Sequence, residues 1–487
     1  MAAGIKSYSL RTYLILSLTA CSVMASSSSS QAIKGGYWPS WAKNLPPSSI
    51  ETTFFTHIYY AFLIPNNVTF KFDIEYTTAV ALVNFTSTLR TKKPLVKILF
   101  SIGGASEEWR LEVQKEAKIT STYLILSLTA CSVMASSSSS QAIKGGYWPS
   151  WAKNLPPSSI ETTFFTHIYY AFLIPNNVTF KFDIEYTTAV ALVNFTSTLR
   201  TKKPLVKILF SIGGASEGSF LFGRMASSPS MRKNFIDSSI EVARKFGFDG
   251  IDLDWEYPQT PKDMENLAYF LDEWRLEVQL EAKTTKRPPL LLTAAVYFSA
   301  NIFLSGPYRS YPATSITKNL DWINVMNYDY HGSWEPSITG AHSALFDSKT
   351  NISTSYGLGS WIKSGVPKSK LIMGLPLYGK TWLLKDSKSH GVGSPAIDVG
   401  PGDHGVLTFA EIEQFNRDHK AKVEYDLESV SMYSVAGTTW IGYDDTLSVT
   451  MKIAYARALG IRGYFFWAVD GDYKWKISKR ASQLWCV

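Results

Sequence analysis

The sequence predicts an α/β fold, a (β/α)8 barrel of the TIM type, over residues about 143–487. Three observations predict it. Eight short segments rich in β-branched and aromatic residues alternate with longer amphipathic stretches, as parallel strands alternate with crossover helices. One segment, Phe248-Asp249-Gly250-Ile251-Asp252-Leu253-Asp254-Trp255-Glu256-Tyr257-Pro258, alternates apolar and acidic residues, so its two faces have opposite character. The stretch between the seventh and eighth segments is too long for one crossover helix. Residues about 381–445 are therefore expected to form a small inserted α+β subdomain.

The strands are expected in this order. The first three, Gly145–Trp148, His167–Phe172 and Lys207–Ile212, carry the aromatic and β-branched runs Tyr147-Trp148, Ile168-Tyr169-Tyr170 and Ile208-Leu209-Phe210. The fourth, Gly250–Trp255, is the alternating acidic segment. The fifth to eighth are Leu290–Val296, Trp322–Met326, Leu371–Leu375 and Gly463–Trp467, short apolar runs long enough for a strand but too short for a helix.

Ahead of this barrel lies a duplication. Residues 12–107 recur without change as residues 122–217. One long identical copy is unlike the short stacked units of a repeat protein. The first copy stops after Ser101-Ile102-Gly103-Gly104 and jumps to Glu108-Trp109-Arg110-Leu111-Glu112-Val113-Gln114, which matches Glu273 to Gln279. Counterparts of residues 218–272 are missing, so copy one holds three strands and cannot close a barrel. Copy two runs directly into residues 218–246. Using copy one instead would lengthen that connection by 110 residues, which costs about 1 kcal/mol in chain entropy. Copy two is therefore expected to build the barrel, with copy one outside it and loosely ordered.

The N-terminus reads as a secretory signal over residues 1–25. Lys6 and Arg11 precede the mostly apolar Tyr13 to Ala20, and Val23-Met24-Ala25 places small residues before a serine run. The same signal-like pattern returns at Tyr123 to Ala135, within a signal-like and Ser-rich linker at 122–142. Neither run is long enough to span a bilayer. Residues 26–121 then form the truncated duplicate. The expected location is extracellular or another secretory compartment, and Asn177-Val178-Thr179, Asn194-Phe195-Thr196 and Asn351-Ile352-Ser353 are candidate glycosylation acceptors. The three cysteines, Cys21, Cys131 and Cys486, form neither a disulfide framework nor a zinc pattern. The net charge of +8 is scattered, which points to solubility rather than nucleic-acid binding. The seven histidines show no metal-ligand spacing, and no cofactor motif is present.

The chemistry sits on the fourth strand. Side chains alternate faces along a strand, so Asp252, Asp254 and Glu256 share one face, and Ile251, Leu253 and Trp255 share the other. The apolar face belongs under the helices, so the carboxyls line the barrel interior and climb towards its C-terminal mouth, where such barrels carry active sites. Three buried carboxyls repel one another's charge, so at least one holds a proton at neutral pH. That keeps an acid ready for proton donation, and Glu256, nearest the mouth, is the best placed. A divalent-metal site is the competing reading, but no histidine or further carboxylate cluster stands beside the strand to complete a shell.

This segment resembles the signature of family 18 glycoside hydrolases, and the second half of the chain is similar to plant class V chitinases. Ser211-Ile212-Gly213-Gly214, Met326-Asn327-Tyr328-Asp329 and Leu375-Pro376-Leu377-Tyr378-Gly379 resemble the family's third-, sixth- and seventh-strand motifs, and Trp467 stands where the family has the tryptophan under the cleaved sugar. The resemblance implies an endo-acting chitinase that cleaves β-1,4 bonds between N-acetylglucosamine units with retention and without a cofactor. It implies Glu256 as general acid/base, with the substrate's own acetamide as nucleophile. Asp254 would orient the acetamide, Asp252 would share a proton with Asp254, and the Tyr328 hydroxyl would donate to the acetamide oxygen. Tyr147, Phe172, Met326, Asp329, Tyr378 and Trp467 would line the sugar subsite. The implied partners are chitin, chitooligosaccharides and lipo-chitooligosaccharides, for a monomer that engages neither nucleic acid nor membrane. The sequence departs from many relatives at Ala215, where they carry tryptophan, and at Lys380, where several carry arginine. Two other readings stand beside the enzyme: a chitin-binding lectin on the same barrel with little or no hydrolysis, and a chain that the duplication prevents from folding.

Overall fold

The computed structural model describes residues 35–40, 46–63, 76–102, 142–215, 218–304 and 306–485. Both signal-like segments, all three cysteines and the Glu108 to Gln114 segment lie outside the described residues. The chain divides into two compact units, Met1–Ser136 and Ser137–Val487.

In the second unit eight parallel strands close into a barrel, each paired with its neighbours in chain order and the eighth with the first. They are Ile143–Pro149, His167–Leu173, Lys207–Gly213, Gly250–Asp254, Leu291–Val296, Trp322–Val325, Leu371–Pro376 and Gly463–Trp467. The outward apolar residues of the fourth strand are buried under helices: Ile251 and Leu253 join the large outer core, and the Trp255 ring lies 5.9 Å from Phe222. Burying each such side chain stabilises the fold by about 1.5–3 kcal/mol. Inside the barrel a second core forms around Tyr147, whose ring stacks on Tyr169 at 4.5 Å.

The helices carry local start and stop signals. Pro261–Thr285, after the fourth strand, opens on a capping box in which Thr260 and Asp263 exchange hydrogen bonds. Pro229–Phe246, after the third, ends on Gly247 in the left-handed conformation. The first crossover differs from the regular β/α alternation. It holds only two 3-10 turns, Pro157–Ser159 and Thr162–Phe164. Pro156 and Pro157 supply no N–H, and the threonines are stiff at χ1, so an α-helix gains little there.

The insertion is a six-stranded antiparallel sheet with one α-helix, Phe409–Asp418. It begins at Tyr378–Leu384 and its last strand is Thr439–Tyr443. The seventh-strand motif therefore splits: Pro376 ends the barrel strand, the Leu377 N–H donates to the Trp467 carbonyl at 2.9 Å, and Tyr378 already belongs to the inserted sheet.

Among the described residues, the N-terminal unit forms a three-stranded parallel sheet, Gly35–Pro39, His57–Leu63 and Lys97–Ile102, with one α-helix, Tyr76–Thr91. Its sequence equals the first three barrel strands, yet Phe100 is 55% exposed where its counterpart Phe210 is fully buried. Exposed apolar side chains on a sheet with open edges invite aggregation. Removing residues 1–135 behind a fresh signal peptide is expected to yield a protein at least as active as the full chain and more soluble. Secreted yield and specific activity of the two forms check this. Should the truncated chain fail to fold while the full chain works, the N-terminal copy is part of the working structure.

Candidate active site

The site is built at the C-terminal end of the barrel strands. A cavity there is lined by Tyr147 and Phe172 from the first two strands, Ala215 after the third, and Asp254, Glu256 and Tyr257 from the fourth. Ala295, Met326, Tyr328, Asp329 and Trp467 complete it from the fifth, sixth and eighth. Of the ten residues singled out from the sequence, eight are on this wall. Asp252 lies one layer below. Tyr378 stands behind Tyr328, ring centroids 6.2 Å apart, with the buried His342 ring on its other side at 5.1 Å. Trp467 forms an aromatic floor with Phe172, stacked at 5.5 Å, and Tyr147 at 5.6 Å.

The third-strand glycines are required by close approach. Gly213 has φ +115°, and a Cβ there would lie 2.2 Å from the Asp254 carbonyl oxygen. Gly214 has φ +95°, and its Cβ would strike the Phe172 ring at 2.6 Å. Only glycine lets this strand end pass between the fourth strand and the wall of the cavity.

The three carboxyls of the fourth strand have different surroundings. Asp252 is fully buried and accepts from Tyr147 at 2.8 Å, Ser211 at 2.7 Å, Thr293 at 2.5 Å and Asn324 at 3.4 Å. Burial pushes its pKa above the usual carboxylate range, and these donors oppose that shift. Asp254 is buried and its Oδ1 has no hydrogen-bond partner. Its pKa is pushed far upward, first by burial and then by the charges of Glu256 and Asp252. A carboxyl ringed by donors is the natural place for negative charge, so Asp252 is the anion and Asp254 holds the proton. Glu256 is raised to about 7, chiefly by burial and next by the charge of Asp329, while a hydrogen bond with Tyr257 opposes the shift. It is thus poised to keep or release a proton near neutrality, which suits a general acid that must later act as base. Tyr328 is held as a neutral phenol, because burial and the surrounding carboxylates push its pKa far above 10.

The network under Asp252 was not legible as a site. Ser211 belongs to the third-strand motif, but Thr293 and Asn324 carry no motif signal; only an inward position on neighbouring strands could have pointed to them. Among the described residues no group of His, Cys, Asp and Glu is arranged to hold a metal ion.

This geometry coincides with a family match. The glycosyl hydrolases family 18 model matches residues 144–472, about two thirds of the chain. The chain belongs to glycosyl hydrolase family 18. The family 18 chain is 51% identical over 354 residues to Nod factor hydrolase protein 1 of Medicago truncatula, an alignment that spans 71% of this chain and 91% of that one. Among solved structures it is similar to a mutant class V chitinase of Nicotiana tobaccum in complex with NAG4. There the identity is 42% and the TM-score 0.69, with 71% of this chain and 99% of the other covered. A chitinase-like agglutinin of Robinia pseudoacacia is similar at 41% identity and a TM-score of 0.66, over 71% of this chain and all of the other. The family 18 chain is a glycoside hydrolase, and its closed barrel holds Glu256 in the cavity wall at the C-terminal end of its strands.

Proposed function

We propose that this enzyme is an endo-acting chitinase that hydrolyses β-1,4 bonds between N-acetylglucosamine units with retention of configuration. Glu256 donates its proton to the glycosidic oxygen as the bond to the anomeric carbon breaks. The substrate's N-acetyl oxygen closes on that carbon and forms a cyclic oxazolinium ion. Glu256, now a carboxylate, takes a proton from water, and the water oxygen opens the ring. Asp254 accepts from the acetamide N–H and balances the charge on that nitrogen, and the Tyr328 hydroxyl donates to the acetamide oxygen. As the acetamide enters, Asp254 passes its shared proton to the anion Asp252, so the carboxylate that meets the developing positive charge is Asp254. Phe172, Met326, Asp329 and Tyr147 surround the sugar over Trp467, with Tyr378 behind Tyr328.

One observation carries this reading: Asp254, whose buried Oδ1 has no hydrogen-bond partner, lines the cavity together with Glu256. A carboxyl that holds its proton until it can pass it to Asp252 is a poor nucleophile but a suitable acceptor for an amide N–H, which favours assistance by the substrate over attack by a second carboxylate. The similarity to the Medicago truncatula Nod factor hydrolase supports lipo-chitooligosaccharides as further substrates. The basic residues Lys6 and Arg11 and the apolar run Tyr13 to Ala20 support secretion.

The products should appear first as the β-anomer in proton NMR, and cleavage should need an N-acetyl group on the sugar that becomes the new reducing end. Rapid cleavage of fully deacetylated chitosan, or release of the α-anomer, would contradict the mechanism.

A further inference from the structure

Lys380 lies on the first strand of the inserted sheet and reaches back to the mouth of the barrel. Its Nζ is 2.9 Å from Asp329 Oδ1, and its side chain is only 11% exposed against 44% for Asp329. The ammonium also sits over the Tyr378 ring at 5.4 Å and the Trp334 ring at 5.5 Å. The strand is held on both edges, Lys380 standing opposite Gly442 on one side and Val406 on the other. Asp329 is held too: its backbone has φ +57°, a conformation that a non-glycine residue adopts only under constraint. The pair therefore joins two rigid pieces rather than two mobile side chains. A buried ammonium is costly without a partner, so the contact persists once formed.

The charges around this pair are few. Asp329 faces Lys380 and Tyr378 from the inserted sheet and His342 from the loop after the sixth strand, with His342 Nδ1 3.9 Å away. His342 is kept neutral by burial and by the positive charges of Lys380 and Lys452. Glu256 faces Asp254 and Tyr257 from its own segment, Tyr311 beyond the fifth strand, Tyr328 and Asp329 from the sixth, and Tyr378 from the inserted sheet. The tyrosines are all neutral. Asp329 is thus the carboxylate that approaches the acid from outside the fourth strand, and Lys380 is the fixed positive charge that touches it.

We propose that Lys380 is a positioning residue: by clamping Asp329 it limits how strongly that carboxylate acts on the proton of Glu256, and so sets the alkaline limit of the reaction. This rests on Glu256 being the acid. The inserted subdomain thereby acts on the catalytic step, because the clamp comes from its first strand.

The test is the pH profile of kcat/KM on an N-acetylated chitotetraose, measured for the full chain and four variants. In the wild type the acid is protonated below about 7 and loses its proton above it, so kcat/KM falls on that side. Lys380→Met leaves the Asp329 charge unbalanced, which favours the protonated acid and moves the alkaline limb upward by roughly half a pH unit or more. Lys380→Arg restores the limb, since a cation is kept. Asp329→Asn removes the charge and moves the limb downward. Adding Lys380→Met to Asp329→Asn changes the limb no further, because the lysine acts through the aspartate. The inference is overturned if Lys380→Met changes KM alone, or if it moves the limb equally with and without Asp329. Should Lys380→Met not fold, Asp329→Asn still decides: an unmoved limb refutes the inference. A Glu256→Gln enzyme that remains active would instead refute the acid assignment beneath it.

Discussion

Glu256→Gln is expected to lower chitooligosaccharide hydrolysis by about 10²–10⁴-fold while oligomer binding stays measurable. Glutamine keeps the size and a hydrogen-bonding end but has no proton to give at this pH. The wall of the cavity, with Trp467, Phe172, Tyr147 and Met326, is untouched, so the sugar contacts survive. The effect should therefore fall on kcat and not on KM, the pattern of a group that acts in the transition state. Steady-state kinetics together with calorimetric titration of an N-acetylated oligomer separate the two. Near wild-type turnover would end the assignment of Glu256. The same measurement weighs the binding-only reading: a lectin would bind equally well in both forms and turn over in neither.

Asp254→Asn is the second large effect. Asp254 has one oxygen without a hydrogen-bond partner, and it sits between the anion Asp252 and Glu256. When the substrate acetamide enters, this carboxyl must accept from the amide N–H and offset positive charge as the ring closes. An asparagine fits the space but carries no charge to offer. The loss should reach roughly 10²–10³-fold in kcat, the size seen when one preorganised group facing developing charge is removed. Substrate affinity should change far less, because the ground-state acetamide is neutral. Full activity in this variant would mean that Asp254 does not face the acetamide, and substrate assistance would then need another partner.

Much of this was readable from the chain alone, and the reason is locality. Asp252, Asp254 and Glu256 share a face because strand side chains alternate with period two, whatever surrounds them. Ser211-Ile212-Gly213-Gly214 stood out as a motif, while the close approach that requires its glycines comes from Asp254 and Phe172. The insertion announced itself by length, since no single helix spans the distance from the seventh strand to the eighth. Which of the two aspartates carries the charge was not readable. The donors that make Asp252 the anion come from Tyr147, Ser211, Thr293 and Asn324, which lie 41 to 105 residues away in the chain. Lys380 meets Asp329 only because the inserted sheet folds back over the barrel mouth, and Tyr378 stands behind the cavity wall for the same reason.

The duplication shows the division most directly. Tyr37 and Tyr147 sit in identical sequence and both occupy strands, since strand propensity is a property of the local segment. Yet Tyr37 is 64% exposed and Tyr147 2%. The sequence by itself determined the strands and their faces. Only the tertiary structure decided which copy of each residue is buried and charged by its neighbours, because burial and electrostatics depend on strands that the local sequence does not contain.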